Sequence, residues 1–266
     1  NQKSFKHLFN VTCKKLERLK IYLNPIFFWG LFFLEKKMIK KTLFLFLFVI
    51  LISTNLKAIP IHAYYCFNTQ QAETIVNIFD EFMGSSGSKG ASTHRLYAFP
   101  LNGENLATHC IVSESDTPDQ HEKNVNIFEG SAGGQKLLGT FFDVTEPVTE
   151  GAGTPIASHG NLDPNKHTVS MLIDLKINND EEFLKTWSIF VKKNSKGPVT
   201  LFADYFTGVQ GRTHYVVISA ESLNDLINNL NSTLGSEEGR AFSLSLRGNR
   251  EILGRSLINL VKSWEK

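Results

Sequence analysis

The chain of 266 residues reads as an α+β protein made of two tandem copies of one βαββαβ unit. Three features predict this. Short runs in which apolar and polar residues alternate mark half-buried strands, and the runs between them carry apolar residues at helical spacing. The third feature is self-similarity at a spacing of 105 residues. In that alignment His62 falls on His167, Leu96 on Leu201, Ala98 on Ala203, Gly103 on Gly208, Thr108 on Thr213, His109 on His214 and Val112 on Val217. Ile78, Phe79 and Phe82 fall on Phe183, Leu184 and Trp187, which keeps one helix face in phase across both copies.

The elements follow in order and are clearest in the second copy. Val169, Met171, Ile173, Leu175 and Ile177 alternate with Ser170, Asp174 and Lys176, which predicts a first strand. Asn179 or Asp180 caps the next segment, where Phe183, Leu184, Trp187, Phe190 and Val191 form a stripe that stops before Gly197 and Pro198. Residues 199–207 and 212–220 read as two strands joined through Gly208 and Gly211. Ser222 can cap a helix with Leu223, Leu226, Ile227, Leu230 and Leu234 on one face, and 241–246 reads as the last strand. These patterns place the first repeat at 59–144 and the second at 167–248. The stretch 145–166, with Pro147, Gly151, Gly153, Pro155, Gly160 and Pro164, has the composition of a linker. The tail 249–266 carries Ile252, Leu253, Leu257, Leu260, Val261 and Trp264 at spacings that predict an amphipathic helix.

Residues 38–58 have the layout of a secretory signal. Lys40 and Lys41 precede an eleven-residue apolar run, Thr42 to Ile52, that is too short for a span of about 20 residues. Cleavage after Ala58 or Ala63 is expected, an uncleaved anchor being the alternative, and the protein is expected to be exported to a periplasmic or secreted location. Any membrane contact would run through this segment alone. Residues 1–37 begin with Asn1 and read as non-native sequence upstream of a start at Met38, with a two-pass membrane hairpin as the rival. The first 58 residues hold 11 Lys+Arg against 2 Asp+Glu, leaving 17 against 24 in the rest, a net −7. An acidic body argues against nucleic acid as a partner, because counterion release needs a cationic surface.

The duplicated unit, with His62 and His167 opening the first strands and Gly-x4-Thr-His entering the third, resembles the dimeric α+β barrel superfamily. Antibiotic-biosynthesis-monooxygenase-like, stress-responsive barrel and NIPSNAP-like proteins belong to it. The resemblance covers residues 60 to about 248 and rests on topology more than on motifs. It implies two fused ferredoxin-like repeats whose antiparallel sheets pack face to face, since one such sheet carries its helices on one side and leaves the other bare. It names no activity.

The candidate chemistry is correspondingly sparse. His109 and His214, with Tyr97 and Tyr215, are the candidate catalytic residues, the histidines because a neutral imidazole can act as base or ligand; their ordinary role is to bond backbone at strand ends. Cys66 lies late in its strand and Cys110 early in the antiparallel neighbour, so the two can bridge, with Met171 and Tyr215 as their counterparts by the 105-residue spacing. Gly84 to Gly90 lacks the spacing of a phosphate loop, and Gly133-Gly134-Gln135 reads as a loop. Asp116, Asp119, Glu122, Glu237 and Glu238 read as solvated faces and helix starts. No cofactor or metal fingerprint stands out. The sequence therefore favours a non-catalytic binding or interaction module holding a small apolar ligand between the repeats. The alternative is a cofactor-free or haem-dependent, monooxygenase-like barrel enzyme acting on a small apolar or aromatic compound.

Overall fold

The computed structural model describes residues 58–103 and 106–265. The upstream segment and nearly all of the signal segment lie outside these residues. Each copy contributes four strands and three helices. The first runs β1 (Ile61–Asn68), α1 (Ala72–Met83), β2 (Thr93–Leu101), β3 (His109–Ser115), α2 (Pro118–Gly130), α3 (Ala132–Asp143) and β4 (Glu146–His159). The second runs β5 (Val169–Ile177), α4 (Asp180–Asn194), β6 (Val199–Thr207), β7 (His214–Ala220), α5 (Leu223–Leu234), α6 (Glu237–Ser245) and β8 (Arg250–Trp264).

The strands close into one barrel in the order β1-β3-β2-β8-β5-β7-β6-β4, with every neighbouring pair antiparallel. The two sheets face each other as expected, and their edges are also hydrogen-bonded. β4 pairs with β6 of the other copy and β8 with β2. Closure removes every free edge.

Three expectations are corrected. The linker 145–166 is largely strand β4, whose glycines are demanded by crowding: a Cβ on Gly151 would strike the Tyr64 hydroxyl and the Phe206 carbonyl. The tail 249–266 is strand β8 and not a helix; register shifts opposite Leu96/Tyr97, Ala98/Leu101 and Asp174/Leu175 break its alternation and give the apolar residues a helix-like spacing. The strand expected at 241–246 belongs mostly to helix α6, which Ser236 caps by accepting a hydrogen bond from the Gly239 amide. The unit is therefore βαββααβ. The second helix recurs as α3, where Gly133-Gly134-Gln135 is helical; Gly134 sits where a Cβ would meet the Phe128 backbone.

The register also revises the repeat. Phe67 pairs with His109 and Leu175 with His214, so the third strands are offset by 105 residues (214 − 109) but the first strands by 108 (175 − 67). Three more residues separate β1 from β2 than separate β5 from β6 (24 against 21). Ile75, Phe79 and Phe82 thus correspond to Phe183, Trp187 and Phe190, each set buried under its own sheet. His62 lies in β1, whereas His167 lies before β5 and exchanges hydrogen bonds with the Asp163 backbone. Helix caps recur at 105: Thr117 and Ser222, Ser131 and Ser236.

Candidate functional site

Side-chain alternation divides the molecule into an interior, inside the barrel, and two clefts, one per copy, between sheet and helices. The interior is lined by His62, Tyr64, Cys66, Tyr97, Phe99, Cys110, Glu114, Phe202, Arg212 and Tyr215 around a cavity of about 130 Å³. An eight-stranded barrel has room for little more than its own side chains and one small ligand. Cys66 and Cys110 stand directly opposite and are joined by a disulfide. By register their counterparts are Asp174 and Tyr215, not Met171 and Tyr215.

Arg212 dominates one side of the interior, and the sequence reading missed it. Its Nε donates to Asp204 Oδ2 at 2.7 Å, Nη1 donates to Asp174 Oδ1 at 2.6 Å, and Nη2 donates to the Tyr64 hydroxyl. The guanidinium carbon lies 4.9 and 5.0 Å from the ring centres of Tyr64 and Tyr215. The Asp204 side chain is wholly buried. Such a charge persists in a barrel only because both carboxylates and both rings compensate its desolvation. Little local in the sequence signals it, because the five groups come from β1, β5, β6, β7 and the turn before β7. A second pair, Arg95 with Glu114, sits near His62, whose Nδ1 is 4.0 Å from Glu114. Burial outweighs that carboxylate and lowers the His62 pKa. Burial likewise raises the pKa of Tyr97 and Tyr215, so both hydroxyls stay protonated.

Of the four candidate catalytic residues, Tyr97 and Tyr215 line the interior and the histidines do not. His109 stacks on Phe67, a member of the core beneath the first copy's helices, and its Nδ1 is 3.0 Å from Thr108 Oγ1. His214 Nδ1 is 2.9 Å from Thr213 Oγ1. β3 and β7 lie on opposite sides of the eight-strand ring, so the two imidazoles, facing outward, share no site. The repeated Thr-His pair is a pin. Thr108 Oγ1 accepts from the Thr69 amide and Thr213 Oγ1 from the Ile177 amide, fastening the third strand to the end of the first in each copy.

The first-copy cleft, about 280 Å³, is the larger of the two clefts and the one with a buried imidazole. Phe79, Ile111, Phe128, Leu137 and Phe141 give it apolar walls. His94, 3% exposed, enters from β2 with its ring 5.1 Å from Phe128. Its Nδ1 lies 2.8 Å from the Ser92 carbonyl. A carbonyl only accepts, so Nδ1 carries the proton and the neutral ring offers Nε2 as an acceptor. Burial lowers the His94 pKa to about 4, so the ring is neutral at pH 7. Asn124 Oδ1 accepts from the Ser92 amide at 2.8 Å, which aims Nδ2 toward Ser113 Oγ (3.3 Å) and His94 Nε2 (3.5 Å). His121 Nδ1 is buried without a hydrogen-bond partner among the described residues. Tyr65 lines the same cleft, its pKa raised by burial and then by Glu150 and Glu129.

The second-copy cleft, about 250 Å³, occupies the equivalent place. Asn124 becomes Asn229, but His94, Ser113 and His121 become Val199, Ile218 and Leu226. The fold therefore does not require a buried imidazole here. His94 was not among the candidates read from the sequence, because only the packing of α2 on β2 and β3 joins it to Asn124.

None of the three spaces fits haem. Haem iron takes an axial His, Cys, Met or Tyr, and pockets for drug-sized ligands start at about 300 Å³. The interior has histidine and tyrosine but the least room, and its cysteines are bonded to each other. The second-copy cleft is lined by no His, Cys or Tyr, and its thioether, Met171, borders a volume of about 250 Å³, below that range. The first-copy cleft offers His94, but its walls close around a volume below that range.

A closed antiparallel barrel formed by two fused α+β units, with helices outside, is the dimeric α+β barrel fold in a single chain. No protein-family profile and no curated protein sequence matches it. Among solved structures, it resembles a candidate monooxygenase from Fusobacterium nucleatum (TM-score 0.56, 12% identity, covering 79% of this chain and 96% of that one). It also resembles an anthrone oxidase-like protein (0.54, 8%, 79% and 93%), and a candidate monooxygenase from Lactobacillus acidophilus (0.50, 8%, 78% and 96%). At these identities the likeness establishes the fold.

Proposed function

We propose that this chain is a cofactor-free, monooxygenase-like barrel enzyme whose substrate, a small hydroxylated aromatic, sits in the first-copy cleft. The observation that carries this is His94: a buried neutral imidazole on the wall of an apolar cleft, its Nε2 lying 3.5 Å from Asn124 Nδ2, in one copy where the other has valine. Two of the structural neighbours bear the name monooxygenase and a third is anthrone oxidase-like, which supports the enzymatic reading over a purely binding role. A cavity of about 150 Å³ holds benzene, so about 280 Å³ suits a two-ring compound of about ten carbons.

In the proposed arrangement the substrate hydroxyl donates to His94 Nε2, and Asn124 Nδ2 donates to the same oxygen as negative charge builds on it. The apolar walls exclude water from the reacting ring. The substrate supplies its own electrons. For 1-naphthol, one atom of O₂ becomes the new carbonyl oxygen of naphthoquinone, the other takes the two hydrogens lost from the ring system and leaves as water, and no external reductant is needed.

The test is O₂ uptake and quinone absorbance with 1-naphthol and the full chain, with a haem titration alongside. Stoichiometric O₂ uptake that falls at least 100-fold in His94→Leu, with unchanged circular dichroism, supports the reading. Saturable binding without turnover would return the protein to the binding-module class, and uptake that depends on added haem would reject the cofactor-free mechanism.

A further inference from the structure

The second-copy cleft has its own chemistry. Its walls are Trp187, Phe190, Val216, Leu230 and Phe242, and Phe190 and Phe242 stack face to face with ring centres 4.0 Å apart. Its charged lining is entirely cationic: Lys196, Arg250 and Arg255, with no Asp or Glu among the lining residues. None of the three makes an ion pair among the described residues. Arg250 lies over the Phe242 ring at 5.3 Å, between apolar wall and rim. At the equivalent positions the first copy has Thr145 for Arg250 and Glu150 for Arg255. The duplicated clefts thus share a shape and carry opposite charge at the rim. Two unpaired guanidinium groups beside an apolar hollow are an arrangement a folded protein gains nothing from by itself, since each repels the other; burial and the nearby Arg255 lower the Arg250 pKa.

We infer that this cleft binds a small amphiphilic monocarboxylate, its apolar body between Trp187 and Phe242 and its carboxylate held by Arg250 and Arg255. Guanidinium groups match carboxylates in geometry as well as charge. Scaled from the cavity of about 150 Å³ that holds benzene, the volume takes a body of about ten carbons. This site is independent of the oxidation proposed for the first copy.

Isothermal titration of the full chain with decanoate, 2-naphthoate and decanol decides it. Either carboxylate should bind at least tenfold more tightly than decanol, with affinity falling as salt is raised, and the two carboxylates separate a chain-shaped from a ring-shaped body. The Arg250→Gln/Arg255→Gln variant should lose at least tenfold, while His94→Leu should change nothing. Because Arg250 also packs on Phe242, Arg255→Gln alone, on an exposed side chain, serves if the double variant does not fold, and Arg255→Glu should weaken decanoate further. Equal binding of decanol and decanoate, no binding of either carboxylate at millimolar concentration, or carboxylate affinity unchanged in the folded arginine variants would overturn the assignment.

Discussion

Arg212→Met removes the cation that three elements converge on. It takes the guanidinium donors from the Asp204 and Asp174 carboxylates and the Tyr64 hydroxyl, leaving Asp204 with the Tyr64 hydroxyl, 3.2 Å away, in place of a cation. Breaking a buried ion pair from one side costs about 3–5 kcal/mol, most of it the desolvation of the charge left behind. For a domain of this size about 1 kcal/mol moves Tm by 2–4 °C, so thermal unfolding followed by circular dichroism should shift down by about 6–20 °C. The control is Arg212→Met with Asp174→Leu and Asp204→Leu, which removes the whole charged set; apolar replacement of buried triads is often neutral, and at least half of the lost stability should return. A single variant that loses less than about 1 kcal/mol, or a triple variant no better than the single, would refute the claim that electrostatic compensation holds Arg212 in place.

Other outcomes follow from the same geometry. The Cys66–Cys110 bridge closes a loop with a sequence separation of 44, so the Cys66→Ala/Cys110→Ala variant should lose about 4 kcal/mol in the chain-entropy account, read as a lower urea midpoint than the oxidised parent. His94 titrates near 4 when folded, against 6.5 in the open chain. Its folded-state pKa is depressed, so acid favours the unfolded chain: from pH 7.5 to 5 it should cost about 2 kcal/mol, a loss that His94→Leu removes from the urea-midpoint profile. Gly151→Ala drives a methyl into the Tyr64 hydroxyl and the Phe206 carbonyl, and should destabilise by about 1–3 kcal/mol in the same assay. His109→Ala and His214→Ala should leave 1-naphthol oxidation within twofold of the parent, because both residues pin strands.

Much of the architecture was legible because local chemistry and tertiary need agree at those places. Val169–Ile177 alternates because Ile173, Leu175 and Ile177 pack into the core under the helices, and Asn179 and Ser222 precede helices because their side chains cap them. The fourth strand of each copy was misread for opposite reasons. β4 is rich in Gly and Pro because it crosses close over Tyr64 and β6, so it looks like a connector. β8 is rich in apolar residues, but its register shifts scramble the period. Ala241 to Leu246 alternates like a strand, yet Ser236 and the two glutamates after it start a helix there. The candidate site was barely legible. Tyr97 and Tyr215 were found because aromatic residues alternate inward, whereas His94, Asn124 and Arg212 depend on partners 8 to 148 positions away. Three extra residues between β1 and β2 also made a 105-residue shift look uninterrupted when the first strands obey 108.

The crossed pairing of β4 with β6 and of β8 with β2 means that neither half closes its own edges. A polypeptide ending after His159 would hold β4 against β1 on one side and leave its other side, and the outer side of β2, unpaired. Two such halves could satisfy each other by reciprocal strand exchange, rebuilding the same ring as a symmetric homodimer. Fusion in one chain removes the dependence on concentration and frees the two clefts to diverge, which is the condition under which one acquired an imidazole and the other a pair of arginines.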